Sequence, residues 1–289
     1  RIPRELPDLH ARVTRWELAH GSSLAAFRHA LLAGDDGLAS RVAMLRWNDL
    51  LRYRDSEVKK LLLGIPLARM RHHPFLAAVL DLALYVDRWE QVRAAQYFGL
   101  ALWGVRHRRP RADTEERLIL DVLESVALRL TGSSRGMART RAAAQALRQP
   151  TDGLSQLGSQ LTLLHNQTAI SLFRLGLVDE ALATLDIALA RRDIGSGQGL
   201  HHAKALRAGV LAHLGAMKAA REMLDRAAAL DWAEGTRDGY LGAMYHYAAA
   251  WERIEAFDHT GAQEHIDVMR PHLDTIEYQP YFVALQAFP

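Results

Sequence analysis

The side chains best equipped for chemistry are the 14 histidines, among them His72-His73, His201-His202 and the scatter His259, His265 and His272. Metal chelation needs imidazoles that converge, and adjacent histidines on a helix point about 100° apart. No HExxH pair is present, and there is no cysteine to supply a thiolate. A serine nucleophile would need a GxSxG elbow or a fixed base beside it, and neither can be found. No GxxxxGK(S/T) loop exists to cradle a nucleotide. Gly195-Ser196-Gly197-Gln198-Gly199 precedes a helix whose amide end could hold an anion, but it lacks a preceding strand and a lysine, so it reads as a connecting loop. These residues predict neither an enzyme nor a metal site, and they call for no cofactor.

Two other sets point to binding. The first is basic. Arg106, Arg108, Arg109 and Arg111 form a run, and Arg135, Arg139 and Arg141 follow in a stretch from Glu124 to Asp152 that has no acidic residue between its ends. Such residues could meet phosphates or an acidic partner. The other reading, a solvated face of long arginines, fits better, because no aromatic interleaving accompanies the charge and the formal balance is only +3. No direct nucleic-acid binding is expected from this chain. The second set is aromatic and polar, and it depends on which elements carry it.

Those elements are written as a repeat. Gly176, Ala181, Leu185 and Ala188 recur as Gly215, Ala220, Leu224 and Ala227, each 39 residues on. A period of this size marks stacked supersecondary units, none of which can bury its apolar face alone. Each glycine ends a helix by accepting the left-handed conformation, and each alanine lets the returning helix approach. Ala262, Ile266 and Met269 make a third copy at an interval of 42, with His259-Thr260-Gly261 as the expected turn. The set of small and large residues resembles the tetratricopeptide (TPR) signature in degenerate form, since the usual Trp and Tyr of the first helix are missing.

That resemblance implies an all-α, TPR-like helical-repeat superhelix, an α-solenoid whose first helices line a concave groove. The groove residues would then be Asn166, Ile170, Phe173 and Arg174 in the first repeat, and His202, Ala205 and His213 in the second. Met244, Tyr247, Trp251 and Glu255 follow in the third. Aromatic faces with a few polar groups suit a sugar, a peptide or another small effector, and ordinary packing between helices is the competing reading for each aromatic taken alone.

The remaining chain is also helical in pattern, with almost no β-branched alternation. Helices are predicted to about His20, over Leu24–Ala33, up to Gly64, from Pro74, toward Arg106, after Asp113 and up to Leu147. A long one is expected from Glu234 through Tyr240 to Trp251, and a last one over Gln279–Phe288, read as the first member of a further pair whose exposed end would show apolar surface. Residues 153–173 carry no formal charge but are too polar to span a membrane, and the expected compartment is the cytoplasm. The chain divides into residues 1–45, an irregular middle at 46–160 and regular repeats at 161–289, read as one array. Its first residue is an arginine, which points to a piece of a longer protein.

A second resemblance is carried by Leu9-His10 with Trp16, followed by His29-Ala30-Leu31-Leu32-Ala33-Gly34-Asp35. This looks like the stretch that joins the ATPase part to the repeat array in MalT-like, LuxR-type transcriptional regulators. It covers residues 8 to about 45 well and 160–275 moderately. It implies a sensor and scaffold segment that binds a small effector, a peptide or a partner protein in the groove and relays the event to ATPase and DNA-binding domains of the same full-length protein. A free-standing TPR-like adaptor is the alternative, and a homo-oligomer stays open under either.

Overall fold

The computed structural model describes residues 5–51, 57–85, 88–130, 136–149, 157–158, 160–191, 197–232, 235–273 and 277–287. All regular structure among them is helical: α1 (Glu5–His20), α2 (Ser23–Leu32), α3 (Asp36–Leu51), α4 (Glu57–Leu63), α5 (Leu67–Met70), α6 (Pro74–Tyr85), α7 (Gln91–Arg108), α8 (Thr114–Leu130), α9 (Gly136–Leu147), α10 (Gln160–Arg174), α11 (Val178–Ala190), α12 (Gly197–His213), α13 (Met217–Ala228), α14 (Ala243–Glu255), α15 (His259–Met269) and α16 (Gln279–Leu285). None of these helices is long and apolar enough to cross a membrane. The chain forms two compact units, residues 1–127 and 128–289.

In the first unit, local side chains set the helix starts. Ser22 Oγ accepts the Ala25 N–H, Asp35 Oδ1 the Leu38 N–H and Asp113 Oδ1 the Glu116 N–H, each satisfying a donor that a helix N-terminus leaves without a partner. Consecutive helices α1, α2 and α3 pack in turn, and α6 packs against α3, α4 and α7. Helix α1 buries Thr14, whereas its Leu9 and Trp16 are exposed. What ties α1 to α2 includes His10 and His29, whose Nδ1 atoms lie 2.8 Å apart with one ring donating to the other. These are the two histidines of the regulator-like motif.

In the second unit the repeat is three helical hairpins, α10/α11, α12/α13 and α14/α15, with α12 packed on both α10 and α14. All close in the same way. Gly176 N–H reaches Phe173 O while Leu177 N–H reaches Leu172 O, and the pair recurs as Gly215 to Ala212 with Ala216 to Leu211. This double bond after a left-handed residue is the Schellman closure, and Gly176 and Gly215 sit at φ 74° and 73°. The repeat alanines fall where the helices meet: Ala181, Ala188, Ala220 and Ala227 have no exposed surface.

The third hairpin departs from the sequence reading. Its turn is not His259-Thr260-Gly261, which already forms the first turn of α15, but Ala256-Phe257-Asp258. Phe257 N–H bonds Ile254 O and Asp258 N–H bonds Arg253 O, so Phe257 stands 42 residues after Gly215 in the same role. It holds the left-handed φ of 59° without being glycine, and Asp258 Oδ1 then caps α15 through the Gly261 N–H. The expected long helix from Glu234 is also corrected. Gly235 has a positive φ of 70°, and a side chain at Gly242 would collide with the Arg237 carbonyl, so the stretch turns, passes through a 3-10 turn at Tyr240–Gly242 and starts α14 at Ala243.

Phe257 is 85% exposed, so it contributes almost no packing to offset its backbone conformation. A left-handed non-glycine residue costs about 1–2 kcal/mol, part of which a glycine returns through its freer unfolded chain. Phe257→Gly should therefore stabilise the protein by about 0.5–1 kcal/mol, read as a higher urea midpoint; an unchanged or lower midpoint would contradict this account.

Candidate functional site

Helix α10 positions the candidate site. It is buried around nearly its whole circumference, although it carries Gln160, Thr162, His165, Asn166 and Thr168 among its buried residues. Asn166 Nδ2 donates to Gly199 O at 2.8 Å, and a side chain at Gly199 would come within 3.2 Å of Thr162 Cγ2. The last glycine of the glycine-rich stretch is thus explained by the close approach of α10 and α12. Gly195 and Ser196 lie outside the described residues.

Toward the other end of α10, aromatic side chains from three hairpins converge. Phe173 meets His213 edge-on at 5.1 Å between centroids, and His213 Nδ1 lies 3.3 Å from the Tyr247 hydroxyl. Trp251 packs against the same cluster. Residues 277–285 lie on this face. Tyr281 stacks on Phe173 at 5.3 Å and meets His213 and Tyr247 edge-on, and Phe282 meets Tyr247. Helix α16 packs on α14, as expected of the first helix of a further pair, and through Tyr281 it also reaches Phe173 of α10 and His213 of α12. Its Phe282 and Leu285 are buried while Val283 is exposed.

An ion pair anchors the start of that segment. The Arg129 guanidinium, 5% exposed, holds the Glu277 carboxylate, 9% exposed, with Nε 2.8 Å from Oε2 and Nη2 3.0 Å from Oε1. The first approach is poorly aligned for a hydrogen bond, and the second carries it. Arg129 also donates to the Gln167 and Ser171 side chains and to the Gln167 carbonyl. Glu277 accepts the Tyr240 hydroxyl at 2.9 Å, and its backbone carbonyl accepts from Arg174 Nη1. Tyr278 is buried with its ring stacked on Tyr240 at 5.7 Å. Burial, and then the Glu277 charge, push the Tyr240 phenol well above its ordinary value.

The sequence-predicted residues divide accordingly. Phe173, His213, Tyr247 and Trp251 come together, and Arg174 instead binds the Glu277 backbone carbonyl. Asn166, Phe173, His202 and Tyr247 are corrected from groove surface to interior: Gly199 of α12 packs on Asn166, Tyr240 on His202, and Tyr281 and Phe282 on Phe173 and Tyr247. Ile170, Ala205 and Met244 are core as well, and Glu255 is exposed at the end of α14. His202 lies 5.6 Å from the Tyr240 ring with neither ring nitrogen hydrogen-bonded, and burial followed by the nearby Arg129 charge lowers its pKa to about 3. Sequence reasoning missed Arg129, Gln167, Tyr240, Glu277, Tyr278 and Tyr281. The spacing of Tyr278, Tyr281 and Phe282 could have revealed an apolar helix face.

The basic residues largely find acidic partners. Arg106 lies 3.8 Å from Glu124, Arg108 pairs with Glu116 at 2.8 Å, and Arg109 pairs with Asp121 at 2.8 Å and with Glu124. Arg141 pairs with Glu180 at 2.9 Å in the second unit. Arg111 is exposed, Arg139 is half-buried, and Arg135 lies outside the described residues. The carboxylates come from helices that pack nearby, which a run of arginines does not disclose.

Compared with known protein families, curated proteins and solved structures, the chain matches none.

Removing one member of a buried pair leaves the other charge stranded, at a cost of about 3–5 kcal/mol, whereas an apolar replacement of both can be nearly neutral. Arg129→Met and Glu277→Gln should each lower stability by about that amount, and the double variant should lose less than the sum. Additive losses in a denaturation cycle would show that the two residues act separately.

His165 and His246 are held at about 4, chiefly by burial, and His202 at about 3, all below the ordinary 6.5. Between these values the unfolded chain binds protons that the folded chain refuses, so stability is full above pH 6.5 and falls as pH drops toward 4. His202→Leu removes one such group and leaves no hydrogen bond broken, so it should flatten the loss between pH 7 and 5 by up to about 1.4 kcal/mol per pH unit below 6.5. An unchanged slope of urea midpoint against pH would show that His202 does not contribute.

Proposed function

We propose that this chain is the TPR-like sensor and scaffold segment of a LuxR-type transcriptional regulator, binding an effector or partner on the face shared by α10, α12 and α14 and relaying it to ATPase and DNA-binding domains outside the chain. The observation that carries the reading is that His213, exposed, and Trp251, half-buried, stand beside the buried Phe173 and Tyr247 where three hairpins with one mode of closure converge. Repeated hairpins present recognition residues in register, and aromatic faces edged by a few polar groups suit a ligand with both apolar and hydrogen-bonding parts. The His10–His29 contact supports the same reading at the other end of the chain, since it gives the two motif histidines a common structural task.

Two measurements test the proposal. The coding sequence around this chain should carry a P-loop upstream and a helix-turn-helix downstream; their absence would favour the free-standing adaptor. A screen of metabolites and peptides should follow tryptophan fluorescence in the intact chain and in Trp251→Phe. Any ligand of this face should bind at least about tenfold more weakly to His213→Ala or Trp251→Ala, a loss of about 1.4 kcal/mol. A ligand whose calorimetric affinity is the same in both folded variants binds elsewhere and removes this face as the site.

A further inference from the structure

We propose that residues 277–285 are a peptide ligand held in cis, and that the face beneath them takes a peptide bearing a carboxylate followed by aromatic residues one, four and five positions on. The inference rests on the reading of that face as the binding face, and it names the chemistry and regulation of the site.

Three features set this segment apart from ordinary continuation of the stack. First, α16 packs on α14 as the first helix of a further hairpin would, but its Tyr281 reaches beyond that neighbour and touches Phe173 of α10 and His213 of α12 as well as Tyr247 of α14. Second, the segment is anchored at its start by charge. Two arginines from α8 and α10 address one residue, Arg129 through the Glu277 carboxylate and Arg174 through its backbone carbonyl. A buried guanidinium requires an anion, and Glu277 supplies it two residues ahead of α16, next to the fully buried Tyr278. Third, Tyr278 and Tyr281 stack on Tyr240 and Phe173 and Phe282 meets Tyr247 edge-on, so the ring contacts fall at i, i+3 and i+4, the spacing at which a helical peptide is read.

The sequence Glu277-Tyr278-Gln279-Pro280-Tyr281-Phe282 then describes the partner. A trans peptide with the same carboxylate and aromatic pattern would place its acid on Arg129 and its rings on Tyr240, Phe173 and Tyr247. Because the cis segment already fills these positions, the trans ligand binds only in competition with it, and occupancy reports the balance between the two.

The test uses the full chain and a fluorescein-labelled synthetic peptide of residues 277–287. Tyr281→Ala removes three ring contacts from a half-buried residue and should loosen the cis segment. The peptide should bind this variant at least about tenfold more tightly than the intact chain, by fluorescence anisotropy. A peptide with glutamine in place of the glutamate, or a scrambled peptide, should bind at least about tenfold more weakly than the parent. If Tyr281→Ala does not fold, as judged by its thermal transition, Leu285→Ala loosens the cis segment without altering the face beneath it and should show the same ordering. Equal binding to intact and loosened chains, no binding to either, or equal binding of the scrambled peptide overturns the inference. A metabolite that binds in a Trp251-dependent manner and is not displaced by the peptide would sink the cis-ligand idea and leave the proposed sensor face standing; loss of both would remove the face itself.

Discussion

The contact between Arg129 and Glu277 is the one on which the second unit depends. Desolvating a guanidinium and a carboxylate costs several kcal/mol each, and their attraction offsets this only when neutral donors and acceptors complete both groups. Gln167, Ser171 and Tyr240 do so here, and they come from α10 and from the 3-10 turn before α14. The pair therefore fixes the end of α8, the middle of α10, the entry to α14 and the approach to α16 in one arrangement. A hydrophobic pair would stabilise as well but would tolerate sliding, whereas the charged pair has one geometry that satisfies it.

Helix α10 shows what this arrangement demands of its neighbours. Thr162 and Thr168 hydroxyls, the Gln160 and Asn166 side-chain carbonyls and both nitrogens of His165 are buried without protein partners. Each such group costs on the order of 1–3 kcal/mol relative to a satisfied one. The helix keeps these groups inside because Leu161, Leu163, Leu164, Ile170, Leu172 and Phe173 are buried beside them and offset their cost.

The same polarity explains what the sequence discloses and what it hides. The hairpins are legible because their requirements are local: a residue able to adopt positive φ at Gly176 and Gly215, and small residues at Ala181, Ala188, Ala220 and Ala227 where helices meet. The third turn is misplaced by a search for glycine, because Phe257 takes the left-handed position and Gly261 serves a different purpose in the first turn of α15. The common phase of Phe173, His213, Tyr247 and Trp251 is legible from repeat register. The burial of Phe173 and Tyr247 is not, since it depends on a segment more than 100 residues from Phe173. The partner of Arg129 is equally hidden, 148 positions away. Arginine runs read as positive surface for a similar reason: Glu116, Asp121 and Glu124 answer them only once the chain has folded back.

The interval between the second and third hairpin closures is three residues longer than that between the first and second, and the extra length lies in the connection from Ala229 to Gly242, not in either helix pair. That connection also supplies Tyr240, which completes the carboxylate's shell, and Trp232, which packs against His201. The hairpin seams tolerate little change because they are filled by alanine, and the connection tolerates little at Tyr240 for a different reason, the carboxylate that its hydroxyl must reach. A change in the length of this connection would therefore be felt at the buried ion pair before it was felt in either hairpin seam.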